Sequence, residues 1–269
     1  MVQRMFCTAG LLAALLLAGA APARPAPIEL AAQPQALGFF GLNTYFTGLE
    51  RSGRDGEDGV ATLVARGREA GAAWAREELS WANMERDAKG RWQWGLFDRR
   101  LRAAADAGYG IVGMLLTTPR WARVGDCASR IERYAAAGVR AADFWCPPAS
   151  AQDYADYVGA VVERYDADGV ADAPGSPRVA AWQIWNEPNH WETWPGSPAE
   201  YAAILQAGYA AAKSADPTAV VATGGLYVLD GGWADGVGHQ DGLRFLGDAI
   251  AASPAAWRSF DALAVHPYM

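Results

Sequence analysis

The chain has 269 residues and a formal net charge of −7 at pH 7, with 51% hydrophobic and 20% charged residues. This composition is typical of a soluble globular protein with one large core, and it lacks the basic surface that a nucleic-acid partner requires. Twelve tryptophans are more than such a core needs, and indole rings make good stacking surfaces for the apolar faces of sugars. We therefore expect three or four of them to line a cleft.

The N-terminus has the pattern of a signal peptide. Arg4 precedes an apolar stretch over residues 11–18, and small residues at 21–23 form a cleavage site. We expect a signal peptide over residues 1–23 and a Pro/Ala-rich entry segment over residues 24–36. The apolar stretch is too short to span a bilayer, so we expect a secreted or periplasmic protein with no membrane partner after processing.

From residue 37 onwards, short apolar strands alternate with amphipathic helices. The patterns predict strands over residues 37–43, 72–77, 111–116, 179–185, 219–223 and 260–265, and helices over residues 59–70, 96–107, 152–165, 198–215 and 243–252. Residues 120–150 are predicted to be irregular. This alternation indicates parallel βαβ units with both sheet faces covered.

The fold class predicted from this pattern is α/β, as an incomplete (β/α)8 TIM barrel over residues 37–269 with about six of its eight units present. The chain stops at what looks like the end of a barrel strand, so we expect a fragment. A doubly wound open sheet with a bound cofactor is the competing fold. It would place a glycine-rich phosphate turn after the first strand, where Asn43-Thr44-Tyr45-Phe46 stands instead.

Two cysteines remain after the expected removal of Cys7. Cys127 and Cys146 lie in one loop region of a chain predicted to enter an oxidising compartment, which favours a disulfide. Two free buried thiols are the alternative.

The most informative segment is Gln183-Ile184-Trp185-Asn186-Glu187-Pro188-Asn189. Proline cannot donate to a sheet ladder, and it biases the preceding residue towards extended backbone. Glu187 is therefore predicted at the last position of a buried strand, with its carboxyl group entering the cavity at the carboxyl ends of the barrel strands. The alternative is a glutamate that caps a helix or pairs with an arginine.

Four segments together resemble clan A of the glycoside hydrolases, in particular family 39 and related cellulase-like barrel enzymes. They are Ala75-Arg76-Glu77 with Trp81, Thr118-Pro119-Arg120-Trp121-Ala122, Trp185-Asn186-Glu187-Pro188-Asn189, and Val265-His266-Pro267-Tyr268. The resemblance implies a retaining glycosidase that cleaves O-glycosidic bonds of β-linked oligo- or polysaccharides. A barrel that binds carbohydrate without cleaving it is the alternative.

The resemblance also implies roles for individual residues. Glu187 matches the general acid/base, while the nucleophilic glutamate belongs at the end of a seventh strand, beyond Met269. Asn186 matches the residue that binds the sugar 2-hydroxyl, and Arg76 and Tyr268 match residues that support the nucleophile. His266 matches a further pocket position. For Arg76, an ion pair with Glu77 or Glu78 is the alternative.

Several tryptophans are candidates for sugar contact. Trp191 and Trp194 flank the loop after the fourth strand and are candidate platforms, with loop packing as the alternative. Trp121 and Trp81 are also placed to reach the cleft, whereas Trp92 and Trp94 are expected to hold a loop against the barrel. The three histidines lack ligand spacing, so we expect no metal, and nothing in the sequence indicates a cofactor.

Overall fold

The computed structural model describes residues 38–46, 57–136, 138–229 and 240–268. These ranges all belong to one compact unit, residues 35–269. The expected signal peptide and entry segment lie outside the described residues. None of the helices in the described ranges is both long enough and apolar enough to cross a bilayer.

The described residues form seven strands and seven α-helices. The strands are β1 (Gly41–Asn43), β2 (Trp74–Ser80), β3 (Gly110–Leu116), β4 (Ala181–Ile184), β5 (Val220–Ala222), β6 (Leu226–Leu229) and β7 (Val265–Tyr268). The helices are α1 (Glu57–Glu69), α2 (Trp81–Met84), α3 (Gly95–Asp106), α4 (Cys127–Ala136), α5 (Ala151–Arg164), α6 (Pro198–Ala215) and α7 (Gly242–Ala252).

All strand pairs are parallel, and neighbouring strands follow the order of the chain. Strands β1 to β5 form one sheet, and β6 pairs with β7. Two isolated parallel bridges, Asn186 to Gly225 and Ala222 to Ala262, join the two sheets. Strands β5 and β6 are thus two halves of one barrel strand that is interrupted at residues 223–225. Six consecutive parallel barrel strands result, which confirms the predicted incomplete barrel.

Helices cover one face of the sheet, and the other face is the inner face of the barrel. Gly208 of α6 lies so close to β4 that an added Cβ would come within 3.0 Å of Ile184 Cδ1. In the register of the strands, Arg76 pairs with Asn43 and Val112, on the opposite face from Ala75 and Leu79. Polar side chains on the inner face are therefore brought together across several strands.

The predicted helices match the structure closely, but the short α2 and α4 were not predicted. Residues 120–150 were expected to be irregular, but they contain α4 and two short 3-10 turns, Arg120–Ala122 and Asp143–Trp145. Cys127 is the buried residue of α4. The sequence does carry a helical pattern here, because Cys127, Ile131 and Tyr134 are spaced to share one helix face, and the prediction missed it.

The last predicted strand is also displaced. It was expected over residues 260–265, whereas β7 occupies Val265–Tyr268 and Ala262 forms only a single bridge. Residues 259–261 instead follow a 3-10 turn at Pro254–Arg258. The apolar run was detected correctly, but its first half forms the approach to the strand.

Candidate active site

The backbone after β4 does not continue as an extended strand. Trp185 and Glu187 both lie in the left-handed region, with φ of 70° and 46°. A residue with a Cβ pays roughly 1–2 kcal/mol for that conformation. The prediction that Glu187 ends the strand in extended backbone is therefore wrong, since β4 ends at Ile184.

Hydrogen bonds to neighbouring segments explain why the preference of the residue before Pro188 is overridden. The Trp185 amide donates to Leu115 O at 2.9 Å, and the Glu187 amide donates to Gly225 O at 3.1 Å. The Glu187 carbonyl accepts hydrogen bonds from the His190 amide at 2.9 Å and from Thr193 Oγ1 at 2.8 Å. The turn is thus fixed on both sides by the adjoining strands and by its own loop.

The Glu187 carboxyl group lies beyond the carboxyl end of β4 and contacts His266 of β7. Its Oε1 atom is 2.6 Å from Nδ1 of His266, and the two side chains are 16% and 22% exposed. The carboxylate is therefore largely withdrawn from water and has a titratable hydrogen-bond partner. Strand β7 carries His266 to this point.

Gly225, in the break between β5 and β6, makes room for His266. A Cβ at this position would overlap Nε2 of the imidazole and would lie 2.6 Å from Cε1. The ring therefore packs directly against the backbone that also accepts the Glu187 amide. Sequence reasoning did not identify Gly225, although the adjacent pair Gly224-Gly225 inside a strand pattern is a signal of close approach.

Arg76 holds Asn186 in position on the inner face. Its Nη2 donates to Asn186 Oδ1 at 2.7 Å, its Nε donates to Gln183 Oε1 at 3.1 Å, and its Nη1 donates to Asn43 Oδ1 at 3.3 Å. The guanidinium thus connects amide side chains from β1, β4 and the segment after β4. Asn43 and Gln183 are site residues that sequence analysis missed, because single amides in apolar strands carry no recognisable pattern.

Glu77 lies on the helix-covered face, opposite to Arg76. It is fully buried, and its Oε1 accepts hydrogen bonds from Thr44 Oγ1 and from the Phe46 amide at 3.0 Å. This glutamate therefore holds the segment after β1 against β2. Its position agrees with the alternation of side chains along a strand, which places neighbours on opposite faces.

The candidate tryptophans differ in their exposure to solvent. Trp194 was expected as a sugar platform, and this is wrong because the residue is 0% exposed. Its ring packs edge-on against Trp185 at 4.9 Å, and its Nε1 donates to Ser197 O at 3.1 Å. Trp81 is likewise fully buried, so it does not reach a cleft. Both rings belong to the hydrophobic core.

Trp121 and Trp191 remain partly exposed. Trp121 packs edge-on against Trp81 at 5.6 Å and donates from Nε1 to Glu85 O at 2.8 Å. Trp191 packs against Tyr134 of α4, with ring centroids 4.7 Å apart. Trp191 therefore reaches across to the loop between β3 and α5.

Three further expectations concern residues around the site. A disulfide joins Cys127 and Cys146, so the loop that carries α4 is closed covalently. The Trp92 and Trp94 rings stack at 4.5 Å and pack against the core, as expected. Tyr268 lies in β7, two residues after His266, and its side chain lies outside the described atoms.

No protein-family model and no curated protein sequence matches the chain. Several solved structures resemble it. A monomeric β-xylosidase from Caulobacter crescentus CB15 has a TM-score of 0.54 at 20% identity, over 79% of this chain and 39% of that chain. An endo-1,4-β-mannanase from Rhizomucor miehei has a TM-score of 0.54 at 17% identity, over 88% of this chain and 69% of that chain.

A GH39 enzyme from Xanthomonas axonopodis pv. citri has a TM-score of 0.53 at 16% identity, over 78% of this chain and 38% of that chain. The chain thus spans about two fifths of the length of the xylosidase and of the GH39 enzyme. At these identities the likeness shows the fold alone, which is that of an incomplete TIM barrel. The resemblance to glycoside hydrolase family 39 that the sequence suggested is confirmed at this level.

Proposed function

We propose that this chain belongs to a retaining glycoside hydrolase in which Glu187 is the general acid/base. One observation carries the proposal. A largely buried carboxyl group stands at the carboxyl end of a barrel strand, 2.6 Å from an imidazole and next to an asparagine whose side chain is fixed by Arg76. The active sites of TIM barrels lie at this end of the strands.

The reaction requires Glu187 to give a proton to the leaving oxygen and then to accept one from water. Contact with His266 supports this role because the imidazole fixes the direction of the carboxyl group. Retaining hydrolysis also needs a second carboxylate about 5–5.5 Å away. The proposal assigns that role to none of the described residues.

The proposed substrates are neutral β-linked sugars, such as xylan fragments, glucans or an exopolysaccharide. Asn186 Oδ1 accepts from Arg76, which leaves the Nδ2 group to donate to a sugar hydroxyl. Trp121 and Trp191 are the proposed ring-stacking surfaces. The net charge of −7 disfavours polyanionic substrates.

The test is Glu187→Gln in the full-length protein, assayed on aryl β-glycosides with poor and good leaving groups. General acid catalysis accelerates a reaction by about 10²–10⁴-fold. We therefore expect the variant to lose activity by that factor on substrates with poor leaving groups, and by a smaller factor on substrates with good ones. Added azide should restore turnover with good leaving groups by replacing the water that needs a base.

Glu192→Gln is the matched control, because Glu192 is an exposed glutamate in the same loop. Unchanged activity of Glu187→Gln on poor leaving groups would rule out the assignment. If the wild-type protein binds oligosaccharides and hydrolyses none of them, the carbohydrate-binding barrel is the better description.

A further inference from the structure

A cluster of three aspartates lies in the loop between α5 and β4. Asp166, Asp168 and Asp172 each offer one carboxylate oxygen, and these three oxygens lie within 4.8 Å of one another. Oxygen ligands of Ca²⁺ stand 2.3–2.6 Å from the ion, so two ligands of one ion lie at most about 5 Å apart. The cluster already has the spacing that a single ion requires.

The surroundings of Asp166 and Asp172 independently indicate a missing partner. Asp172 is half-buried and its Oδ2 accepts from the Gly169 amide at 3.0 Å, but its Oδ1 is buried and accepts no hydrogen bond from any part of the chain that the structure describes. Asp166 is only 2% exposed, and the one hydrogen bond to its carboxylate comes from the Asp168 amide at 3.2 Å, within the loop itself. A buried carboxylate oxygen without a donor or a cation is costly to the fold.

Protein cations do not supply the missing charge. Within the described ranges, no Lys, Arg or His nitrogen lies within 4.0 Å of the carboxylates of the three aspartates. The nearby Arg178 donates to the backbone carbonyl of Asp166 and pairs with Asp216 at 3.3 Å, and Arg164 pairs with Asp98 at 2.7 Å.

The loop is also closed at its base, so its geometry is set before any ion arrives. The Ala173 amide donates to Arg164 O at 2.9 Å, and the Val179 amide donates to Tyr165 O at 2.9 Å. Hard carboxylate oxygens at this spacing suit Ca²⁺ better than Mg²⁺, which requires shorter bonds and near-ideal octahedral geometry.

We propose that Asp166, Asp168 and Asp172 form a calcium-binding site that fixes the loop between α5 and β4. The loop precedes β4, whereas Glu187 follows it, so the site lies at the opposite end of the strand from the catalytic carboxyl group. The ion stabilises the barrel and takes no part in the cleavage of sugars.

The test is calorimetric titration of the chelator-treated protein with CaCl2 and, separately, with MgCl2. We expect one Ca²⁺ per chain with a Kd of about 1 mM or tighter, and weaker binding of Mg²⁺. Saturating Ca²⁺ should also raise the Tm by about 3 °C or more.

Asp168→Asn and Asp172→Asn should each weaken Ca²⁺ binding at least tenfold, while Asp87→Asn, which removes an exposed carboxylate elsewhere, should not. Asp168 is exposed, so its variant serves even if Asp172→Asn fails to fold. The absence of binding and of a Tm shift at about 10 mM CaCl2, equal affinity for Mg²⁺, or undiminished binding by the Asp168 variant would overturn the proposal.

Discussion

His266 and Glu187 meet side chain to side chain across the break in the fifth barrel strand, with 2.6 Å between Nδ1 and Oε1. Their two strands, β4 and β7, are not neighbours, because residues 220–229 lie between them. The contact therefore requires a residue without a side chain in the intervening strand. Gly225 provides that opening, and the orientation of Glu187 consequently depends on a residue that carries no functional group.

Gly225→Ala tests this dependence. The new methyl group would overlap the imidazole ring of His266 and push it away from Glu187. Because a hydrogen bond is worth roughly 0.5–1.5 kcal/mol, we expect kcat/KM on aryl glycosides to fall by up to about tenfold.

The matched control for Gly225→Ala is Gly247→Ala. Gly247 lies in α7, and an added Cβ there would contact nothing within 4 Å. We expect this variant to keep full activity and a Tm at or above that of the wild-type protein. Equal activity of the two alanine variants would show that the ring of His266 does not orient Glu187.

Arg76→Lys should weaken sugar binding. Lysine keeps the charge but loses the planar group that reaches Asn43, Gln183 and Asn186 together. Asn186 would then lose its fixed orientation, and we expect KM to rise about tenfold. Arg91→Lys, at an exposed position, is the control, and steady-state kinetics on the same substrates is the measurement.

Trp194→Ala should destabilise the fold. The residue is fully buried between Trp185 and Tyr201, so its removal leaves a large cavity. We expect the free energy of unfolding to fall by about 3–5 kcal/mol in denaturant titrations. Trp257→Ala, which removes a ring that is 64% exposed, should change it by no more than about 0.5 kcal/mol.

The disulfide should contribute measurable stability to the loop that carries α4. Cys127 and Cys146 are 19 residues apart, and closing a loop of this length stabilises by about 3 kcal/mol in the chain-entropy model. We expect the free energy of unfolding of the double variant Cys127→Ser/Cys146→Ser to be lower by a similar amount in denaturant titrations. A reducing agent should lower the Tm of the wild-type protein and leave the double variant unchanged.

Glu200 should contribute to acid sensitivity. Burial opposes its charge, but hydrogen bonds from Arg130 and from the Ser197 backbone outweigh burial, so the pKa of Glu200 in the folded protein is below its ordinary value of 4.5. The unfolded chain therefore binds this proton more readily. The contribution of Glu200 to stability is present above pH 4.5 and is lost as the pH falls through the folded pKa.

The measurement for Glu200 is the Tm as a function of pH, for the wild-type protein and for Glu200→Gln. The two curves should differ most near neutral pH and converge as the pH falls below 4.5. Curves that stay parallel down to pH 3 would contradict the assignment. Arg130 holds the Glu200 carboxylate with both terminal nitrogens, at 2.9 and 3.0 Å, so Arg130→Met should reduce the same pH dependence.

The sequence predicted the barrel because its elements carry strong local signals. Apolar runs mark the strands, and the helices that pack on them carry apolar stripes, as Tyr154, Tyr157 and Val158 of α5 show. The start of helix α6 is also marked locally, since Ser197 and Glu200 form a capping box on either side of Pro198. Such features depend on near neighbours in the chain.

Features that depend on distant segments were missed. The left-handed backbone of Glu187 is imposed by Gly225 and Thr193, against the local preference that Pro188 sets. The burial of Trp194 depends on how its loop folds back over the core. Asn43 became a site residue only because Arg76 reaches it from the neighbouring strand. Each of these outcomes is decided by tertiary packing.

The left-handed pair Trp185 and Glu187 has a consequence for protein engineering. Transfer of the peptide Trp-Asn-Glu-Pro to another barrel would transfer its sequence but not its backbone conformation. The acceptor scaffold would also need a hydroxyl in the position of Thr193 and a bare carbonyl in the position of Gly225. Without them, the backbone of the grafted glutamate would relax to an ordinary conformation, and its carboxyl group would point in a different direction.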